Sequence, residues 1–314
     1  MVVTSIICVE NLQKCYGGTE AVRDITLQIF RGEFFGLLGP NGAGKTTTIA
    51  MLTGLIRPTG GRILIAGFDL FSNSRESKAK VGLVPQSFAL YPTLCARDNL
   101  NFFGRIYGLR GRRLKERILQ ALKIVELRDR ADQTVSTFSN GMKRRLNIAA
   151  ALLHEPEILI LDEPTVGIDP QSRNAILGSL ESLNKSGVTV LYTTHYIEEA
   201  QRLCERVAIM DQGRIIALDT PAALIRNLGK RIIRIEFNSS VDDMLLNQMG
   251  RFGSVCLIDG VKRNVHLEVD RTDQALRELL ALMEKRDGLL KTIDILEPNL
   301  ETVFLHLTGR NLRD

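Results

Sequence analysis

A glycine-rich segment, GPNGAGKT at Gly39–Thr46, constrains this chain more than any other stretch. It fits the pattern G-x-x-x-x-G-K-[ST], in which glycines let the backbone turn tightly and approach a ligand without Cβ clashes. The loop N–H groups then point at an anion, at the start of a helix whose dipole also favours negative charge. We predict a phosphate-binding loop formed by Gly39, Pro40, Asn41, Gly42, Ala43, Gly44, Lys45, Thr46 and Thr47.

The sequence on either side of this loop has the order that such a loop requires. The apolar run at residues 34–38 predicts a buried strand, and residues 47–55 predict a helix that ends near a glycine. Lys45 is expected to reach the β- and γ-phosphates of a nucleotide, and the Thr46 hydroxyl is expected to hold Mg²⁺. An accidental glycine-rich turn is the alternative, but it does not explain a strand before the loop and a helix after it.

Two acids follow the strand predicted at residues 158–161. An acid at the end of a buried strand is costly unless a cation lies beside it. A nucleotide-bound Mg²⁺ is such a cation, so Asp162 is the expected second Mg²⁺ ligand. Glu163 is then placed to polarise a water for attack on the γ-phosphate. Such a pair often only begins a turn, and it gains its meaning here from the phosphate loop.

The segment FSNGM at residues 138–142 precedes a basic amphipathic stretch, KRRLNIAAALL. Ser139 is a good N-cap residue, and its hydroxyl together with the free N–H groups of the first turn forms a second anion site. Taken alone, the segment is more typical of an ordinary helix start.

The order of predicted elements changes along the chain, and the length of 314 residues predicts two domains. Strands and helices alternate over residues 1–226, as a mostly parallel sheet requires, and the helical periodicity of residues 93–127 indicates a helical subdomain at about 88–155. Residues 231–314 follow the order β-α-β-β-α-β, with a turn at Asp259-Gly260. The predicted fold class is α/β, with a small α+β ferredoxin-like C-terminal domain.

Composition narrows the classes of partner. A net charge of +5 is mild, whereas nucleic-acid binding usually needs a clustered basic face. The densest basic patch, at residues 105–117, fits a solvated helix face better than a surface for an acidic partner. Scattered cysteines without C-x-x-C pairs argue against a metal site and fit a reducing cytosol. No apolar run reaches about eighteen residues, so a membrane role requires another polypeptide.

These motifs together resemble the ATPase subunits of ATP-binding cassette (ABC) transporters, a P-loop NTPase family, and they occur in that family's order over residues 1 to about 225. GPNGAGKT matches the Walker A loop, ILILDEP the Walker B strand, and FSNGM stands at the position of the LSGGQ-type sequence. Gln86 matches the Q-loop glutamine, Asp169 lies in the D-loop, and His195 matches the switch histidine. Tyr16 lies where the family stacks an aromatic ring on adenine.

The resemblance implies a site for ATP and Mg²⁺, with the metal held by Thr46, Gln86 and Asp162. It implies that hydrolysis depends on Glu163, His195, Gln86 and Lys45. Ser139 and Gly141 are expected to touch the phosphates of a nucleotide bound by the opposite protomer, and Tyr16 and Asp169 are further expected nucleotide contacts. The chain departs from the LSGGQ consensus at Phe138, Asn140 and Met142.

Three segments, FSNGMKRRL, TVGIDPQSR and EPNLETVFLHLTGRNLRD, resemble the drug-exporter ATPases of the daunorubicin-resistance type. That branch implies an integral-membrane permease as partner, a position at the cytoplasmic face of the membrane, and work as a homodimer or beside a similar ATPase. No nucleic-acid partner is expected. Related ATPases serve lipid, polysaccharide or sodium export, so the cargo stays open.

Two other classes compete with an exporter subunit. A GTPase or small-molecule kinase also uses a phosphate loop, but a GTPase is expected to carry an Asn-Lys-x-Asp element, and residues 184–187 read NKSG. A soluble ABC-type ATPase acting on ribosomes or nucleic acid is the second alternative. Its relatives carry two cassettes in one chain or long coiled coils, and neither occurs in this sequence.

Overall fold

The computed structural model describes residues 4–228, 231–257, 262–284, 286, 289–296 and 299–308. The chain divides into two compact units, Met1–Ile215 and Ile216–Asp314. The turn expected at Asp259-Gly260 and the last residues of the tail, 309–314, lie outside the described residues. Over the described part of the chain, no helix is long and apolar enough to cross a membrane.

The first unit is built from strands and helices that alternate after an initial hairpin. Its strands are β1 (Ser5–Tyr16), β2 (Thr19–Phe30), β3 (Phe34–Leu38), β4 (Gly60–Ile65), β5 (Phe68–Asp69), β6 (Val81–Val84), β7 (Ile158–Asp162), β8 (Thr189–Thr194) and β9 (Arg206–Asp211), followed by β10 (Arg214–Asp219), in which the division falls. Its helices are α1 (Lys45–Leu52), α2 (Ser74–Lys78), α3 (Ala96–Ile106), α4 (Gly111–Ile124), α5 (Asn140–Ala151), α6 (Pro170–Lys185) and α7 (Ile197–Leu203).

The larger sheet of this unit has the strand order β10-β9-β3-β8-β7-β6, and the strands from β9 to β6 are mutually parallel. Every residue of β3, β7 and β8 is buried, as expected for a parallel sheet covered on both faces. Because the carboxyl ends of parallel strands meet at one edge, the residues that follow β3, β6, β7 and β8 converge there. That edge carries the phosphate loop, Gln86, Glu163 and His195.

A second sheet, with the order β2-β1-β4-β5, is antiparallel. Its long hairpin ends with Tyr16 directly before the turn that leads into β2.

The stretch predicted as helical at residues 93–127 forms two helices, α3 and α4. Gly108, with φ at +81°, lies in the short connection between them, a backbone conformation that glycine adopts at little cost. The apolar face of α4 is buried, at Leu114, Ile118, Ala121 and Leu122, and α3, α4 and α5 pack against one another.

The second unit adds α8 (Pro221–Leu228), β11 (Arg231–Phe237), α9 (Asp243–Met249), β12 (Ser254–Leu257), β13 (Asn264–Val269), α10 (Thr272–Met283), β14 (Leu290–Leu296) and α11 (Leu300–Thr308). Its sheet is antiparallel with the order β12-β13-β11-β14. This is the ferredoxin-like arrangement that the β-α-β-β-α-β order predicts, so the predicted fold class is confirmed. Its apolar core includes Ile233, Ile235, Leu245, Leu267 and Leu279.

The side chain of His266 is buried on the face of β13 opposite to that of the core residue Leu267. Neither ring nitrogen of His266 has a hydrogen-bond partner, and burial lowers its pKa from its ordinary 6.5 to about 4. The nearby charge of Arg234 contributes to this lowering of the pKa, and the Glu268 carboxylate opposes it. The folded chain therefore favours the neutral ring.

This burial makes the stability of the chain depend on pH. The unfolded chain binds a proton at His266 below about pH 6.5 and the folded chain binds it only near pH 4, so the free energy of unfolding falls as the pH drops through that window. Between pH 7.5 and pH 5 we expect wild type to lose about 2 kcal/mol more than a His266→Leu variant. Urea unfolding of both proteins at the two pH values measures the difference. An equal loss in both would contradict the assignment.

Candidate active site

The phosphate loop connects β3 to α1 and requires glycine for two separate reasons. Gly42 and Gly44 have φ of +80° and +101°, which L residues with side chains rarely adopt. A Cβ at Gly39 would lie 2.3 Å from the Met210 carbonyl oxygen, and one at Gly44 would lie 2.5 Å from the Ala21 carbonyl oxygen. The helix begins at Lys45, two residues earlier than the predicted start at residue 47, with Gly44 as its N-cap.

The loop forms one wall of a cleft of about 310 Å³. Most of its lining belongs to the residues predicted to bind nucleotide or to take part in hydrolysis: Asn41, Gly42, Gly44, Lys45, Thr46, Thr47, Gln86 and Glu163. Ala21 also lines the cleft and was not among the predicted residues, because a small apolar residue in a strand carries no chemical signal.

Glu163 lies at the centre of the charged groups of the cleft. Lys45 Nζ is 3.1 Å from Glu163 Oε1 and also donates hydrogen bonds to the Gly39 and Pro40 carbonyl oxygens, at 2.8 and 2.9 Å. Gln86 Nε2 donates to Glu163 Oε2 at 3.3 Å, and His195 Nδ1 lies 3.5 Å from Oε1. The four residues predicted to drive hydrolysis therefore lie together, with Lys45, Gln86 and His195 in contact with the Glu163 carboxylate.

The position of Glu163 depends on a residue that sequence reasoning missed. Glu163 has φ of +46°, which is unfavourable for a residue with a side chain. Its backbone N–H donates to Thr193 Oγ1 at 2.9 Å, and the Thr193 hydroxyl donates to Asp162 Oδ1 at 2.8 Å. Thr193, near the end of β8, thus fixes both acids, although a threonine within a buried strand gives no sign of this in the sequence.

Asp162 is buried beside the phosphate loop, and burial raises the pKa of its carboxyl group. The negative charge of Glu163 raises this pKa too, whereas hydrogen bonds from Thr193 and Thr46 and the charge of Lys45 lower it. The raised pKa means that the groups around Asp162 do not fully offset the cost of burying its negative charge. A bound divalent cation would offset that cost. The Asp162 carboxylate, the Thr46 hydroxyl and the Gln86 amide oxygen are hard oxygen ligands, so this donor set fits Mg²⁺.

The predicted second anion site lies at the start of α5, and its residues do not line the cleft. Ser139 is the N-cap, and its Oγ accepts a hydrogen bond from the Met142 N–H at 3.2 Å. A Cβ at Gly141 would lie 2.2 Å from Ser172 Oγ, so glycine here allows close packing of α5 on the first turn of α6. This contact within the chain is a reason for Gly141 that sequence analysis did not foresee.

Asp169 has a similar local role. It is the N-cap of α6, where its Oδ1 accepts a hydrogen bond from the Ser172 N–H at 2.9 Å. That bond lowers the pKa of the Asp169 carboxyl group. Asp169 does not line the cleft of the phosphate loop.

A buried glutamate, Glu199, accepts hydrogen bonds from residues next to the loop that carries His195. Glu199 Oε2 accepts hydrogen bonds from the hydroxyls of Tyr192, Thr194 and Thr165, at 2.7, 2.9 and 3.0 Å. The His195 ring packs against Tyr196 with 4.3 Å between centroids. The hydrogen bond from Thr194 anchors the residue directly before His195.

Tyr16 lies at the end of β1 and is 49% exposed. The Lys14 ammonium group lies 5.0 Å from its ring centroid, and the ring does not line the cleft. An exposed aromatic ring at this place leaves a flat face for stacking.

The sequence matches a family of known proteins. The family model described as ABC transporter matches residues 22–166. The linearmycin resistance ATP-binding protein LnrL of Bacillus subtilis is 44% identical over 307 residues, covering 97% of this chain and 99% of the relative. The chain belongs to the ATP-binding subunits of ABC transporters. It binds and hydrolyses ATP as a subunit of a transporter complex.

Other ABC relatives place this subunit in the predicted exporter branch. The Nod factor export ATP-binding protein I of Cupriavidus pinatubonensis is 38% identical, covering 99% of this chain and 93% of the relative. The daunorubicin resistance ATP-binding protein DrrA2 of Streptomyces coeruleorubidus is 39% identical, covering 96% and 94%. These relatives support transport and not the alternative of an ATPase acting on ribosomes or nucleic acid.

Solved ABC structures show the same fold. The cbiO1 subunit from Clostridium perfringens matches with a TM-score of 0.65 and 31% identity, covering 72% of this chain and 94% of that one. A cassette solved as a dimer in a post-hydrolysis state with ADP and Pi matches with a TM-score of 0.62 and 29% identity, covering 68% and 98%. The predicted fold family and ATPase activity are confirmed.

Proposed function

We propose that this subunit holds ATP and Mg²⁺ in the cleft of Gly39–Thr47 and drives export through a membrane permease. The observation that carries the proposal is the contact of Lys45, Gln86 and His195 with the Glu163 carboxylate at the carboxyl edge of the parallel sheet. Each of these groups has a distinct task in phosphoryl transfer, which depends on positioning and charge neutralisation more than on covalent chemistry.

Breaking of the ion pair between Lys45 and Glu163 is the first step of the proposed reaction. Lys45 Nζ exchanges the Glu163 carboxylate for the oxygens of the β- and γ-phosphates, because a polyphosphate carries more negative charge at that position. Glu163 Oε1 is then free to accept the proton of the attacking water. Binding of the substrate and release of the Glu163 carboxylate from Lys45 are thus one exchange.

The remaining side chains complete the site. Thr46, Asp162 and Gln86 would hold Mg²⁺, which would neutralise charge on the phosphate oxygens. His195 donates a hydrogen bond to the γ-phosphate, and Tyr16 stacks on the base. The backbone N–H groups of Gly42, Gly44 and their neighbours bind the phosphates at the start of α1.

We further propose that the start of α5 serves the nucleotide of a second subunit. Ser139 and Gly141 lie outside the cleft of their own chain, although a capped helix start is suited to an anion. A two-fold dimer lets the helix start of each chain close over the nucleotide bound by the other, with Asp169 at the shared interface. ATP then favours the closed dimer, and loss of the γ-phosphate favours the open one. The partner is either a second copy or a similar ATPase.

A permease converts this closure into movement of its membrane helices, so the subunit is proposed to lie at the cytoplasmic face of the membrane. The names of the relatives, which include linearmycin and daunorubicin resistance and Nod factor export, favour outward transport of a small organic molecule. Copurification of the tagged chain from detergent-solubilised membranes tests the partner. Recovery of a polytopic membrane protein supports the proposal, and recovery of ribosomes or nucleic acid without one contradicts it.

A nucleotide competition assay tests the substrate. ATP is expected to displace a fluorescent nucleotide from the purified chain at lower concentration than GTP. The reverse order would favour a GTPase and contradict the proposed site.

A further inference from the structure

A buried arginine on α5 takes no part in the proposed mechanism. Arg144 is 2% exposed, and none of the described carboxylates lies within ion-pairing distance of its guanidinium group. Burial lowers the pKa of Arg144, and the negative charge of Asp162 in the active site is the larger of the influences that raise it. A cation buried without a carboxylate is costly, so its remaining contacts need to satisfy it.

Those contacts all lead to the segment that carries Gln86. Arg144 Nη1 donates to the Pro85 carbonyl oxygen at 2.6 Å, and Nη2 donates to the Gln86 carbonyl oxygen at 2.5 Å. The guanidinium group also lies over the Phe88 ring, 4.9 Å from its centroid. One turn further along α5, Asn147 Nδ2 donates to the Ser87 carbonyl oxygen at 3.5 Å. A single helix face thus binds three successive carbonyl groups.

These carbonyl groups depend on α5 for their position. Residues 85–88 follow β6 and belong to no helix or strand, so no regular ladder fixes their backbone. The planar, forked guanidinium group holds two acceptors in a defined geometry, which a lysine ammonium group does not reproduce. With its backbone fixed in this way, Gln86 directs its amide toward Glu163.

We propose that Arg144 is a positioning residue that couples the start of α5 to Gln86 and, through Gln86, to Glu163. Ser139 lies five residues before Arg144 at the tip of the same helix. When a second subunit's nucleotide engages Ser139, any shift of α5 is carried through the two carbonyl bonds to the catalytic carboxylate. Closure of the dimer at one nucleotide thereby adjusts the geometry of the other. This inference rests on the proposed function.

A double-mutant cycle tests the coupling. We expect Arg144→Met and Arg144→Lys each to lower kcat by about tenfold, with the Kd for ATP changed by less than about twofold. The reason is that the two Arg144 hydrogen bonds position Gln86 and do not contact the substrate. In a background that already carries Gln86→Ala, adding either Arg144 change should lower kcat by less than about twofold more. We also expect the Arg144 variants to need more Mg²⁺ for half-maximal rate, because Gln86 is a proposed ligand.

Arg145→Met is the matched control. Arg145 is the next residue on α5, but it donates to the Val125 carbonyl oxygen and lies near Glu126, away from Gln86. It should keep kcat and the Mg²⁺ requirement within about twofold of wild type. If Arg144→Met does not fold, as shown by thermal unfolding, the cycle with Arg144→Lys decides.

The outcomes separate two failures. Multiplicative losses from Gln86→Ala and the Arg144 changes, or losses equal to those of Arg145→Met, would overturn the positioning role alone. A wild-type rate for Gln86→Ala would overturn the role of Gln86 in the proposed function, and the coupling with it.

Discussion

Glu163→Gln is expected to lower the rate of ATP hydrolysis by at least about 10²-fold, the lower end of what a general base contributes. The amide keeps the size of the side chain and its place beside Lys45, Gln86 and His195, but it cannot accept the proton of water. ATP binding should stay the same or become tighter, because the phosphates no longer compete with a carboxylate for Lys45 Nζ. Phosphate release and fluorescent-nucleotide titration measure the two effects separately.

Glu157→Gln is the control for this change. Glu157 directly precedes β7 at the opposite end from Glu163, and it pairs with Arg31 and Lys80 away from the cleft. It should hydrolyse ATP at close to the wild-type rate, since ion pairs of this partly exposed kind contribute little. Phosphate release by Glu163→Gln within about threefold of wild type would remove Glu163 from the role of base.

Ser139→Arg is expected to abolish the ATP-induced dimer while leaving nucleotide binding by the single chain intact. Ser139 caps α5 outside the cleft of its own chain, so a large cation there blocks only the approach of a second subunit. Sedimentation velocity in the Glu163→Gln background, with ATP and Mg²⁺, measures the dimer. The background prevents hydrolysis from dissolving the complex during the run.

Ser139→Ala separates steric block from loss of the helix cap. It removes the hydrogen bond to the Met142 N–H, which costs about 1 kcal/mol, but it adds no bulk. We expect this variant to dimerise with at most about tenfold weaker affinity. A dimer of Ser139→Arg that sediments like the parent protein would show that the start of α5 does not face a partner's nucleotide.

Much of the fold was accessible from the sequence, because the relevant signals are local. The strand at Phe34–Leu38 has the predicted bounds, since five apolar residues before a glycine turn leave little freedom. The β-α-β-β-α-β order of the second unit also holds, because each element there has its own periodicity and its own turn. The compact units divide between Ile215 and Ile216. The domain bounds of 1–226 and 231–314 stay a prediction.

The parts of the site that escaped prediction are those set by tertiary contact. Arg144 belongs to the run KRR, in which the pattern does not distinguish one fully buried base from its half-buried neighbours. Thr193 acts through the backbone N–H of Glu163, which directly follows another strand, and a threonine in a buried strand usually indicates only β propensity. Gly141 reads as a residue of an anion site, and only the packing of α5 on Ser172 shows its second constraint.

One distance tests whether two chains share each nucleotide. In a structure of the Glu163→Gln protein trapped with ATP and Mg²⁺, Ser139 Oγ of one copy should lie within about 3 Å of a γ-phosphate oxygen that Lys45 of the other copy holds. Two nucleotides should be enclosed in this way for each pair of chains. A nucleotide enclosed entirely by one copy, with Ser139 of every copy facing solvent, would show that the chains do not share it.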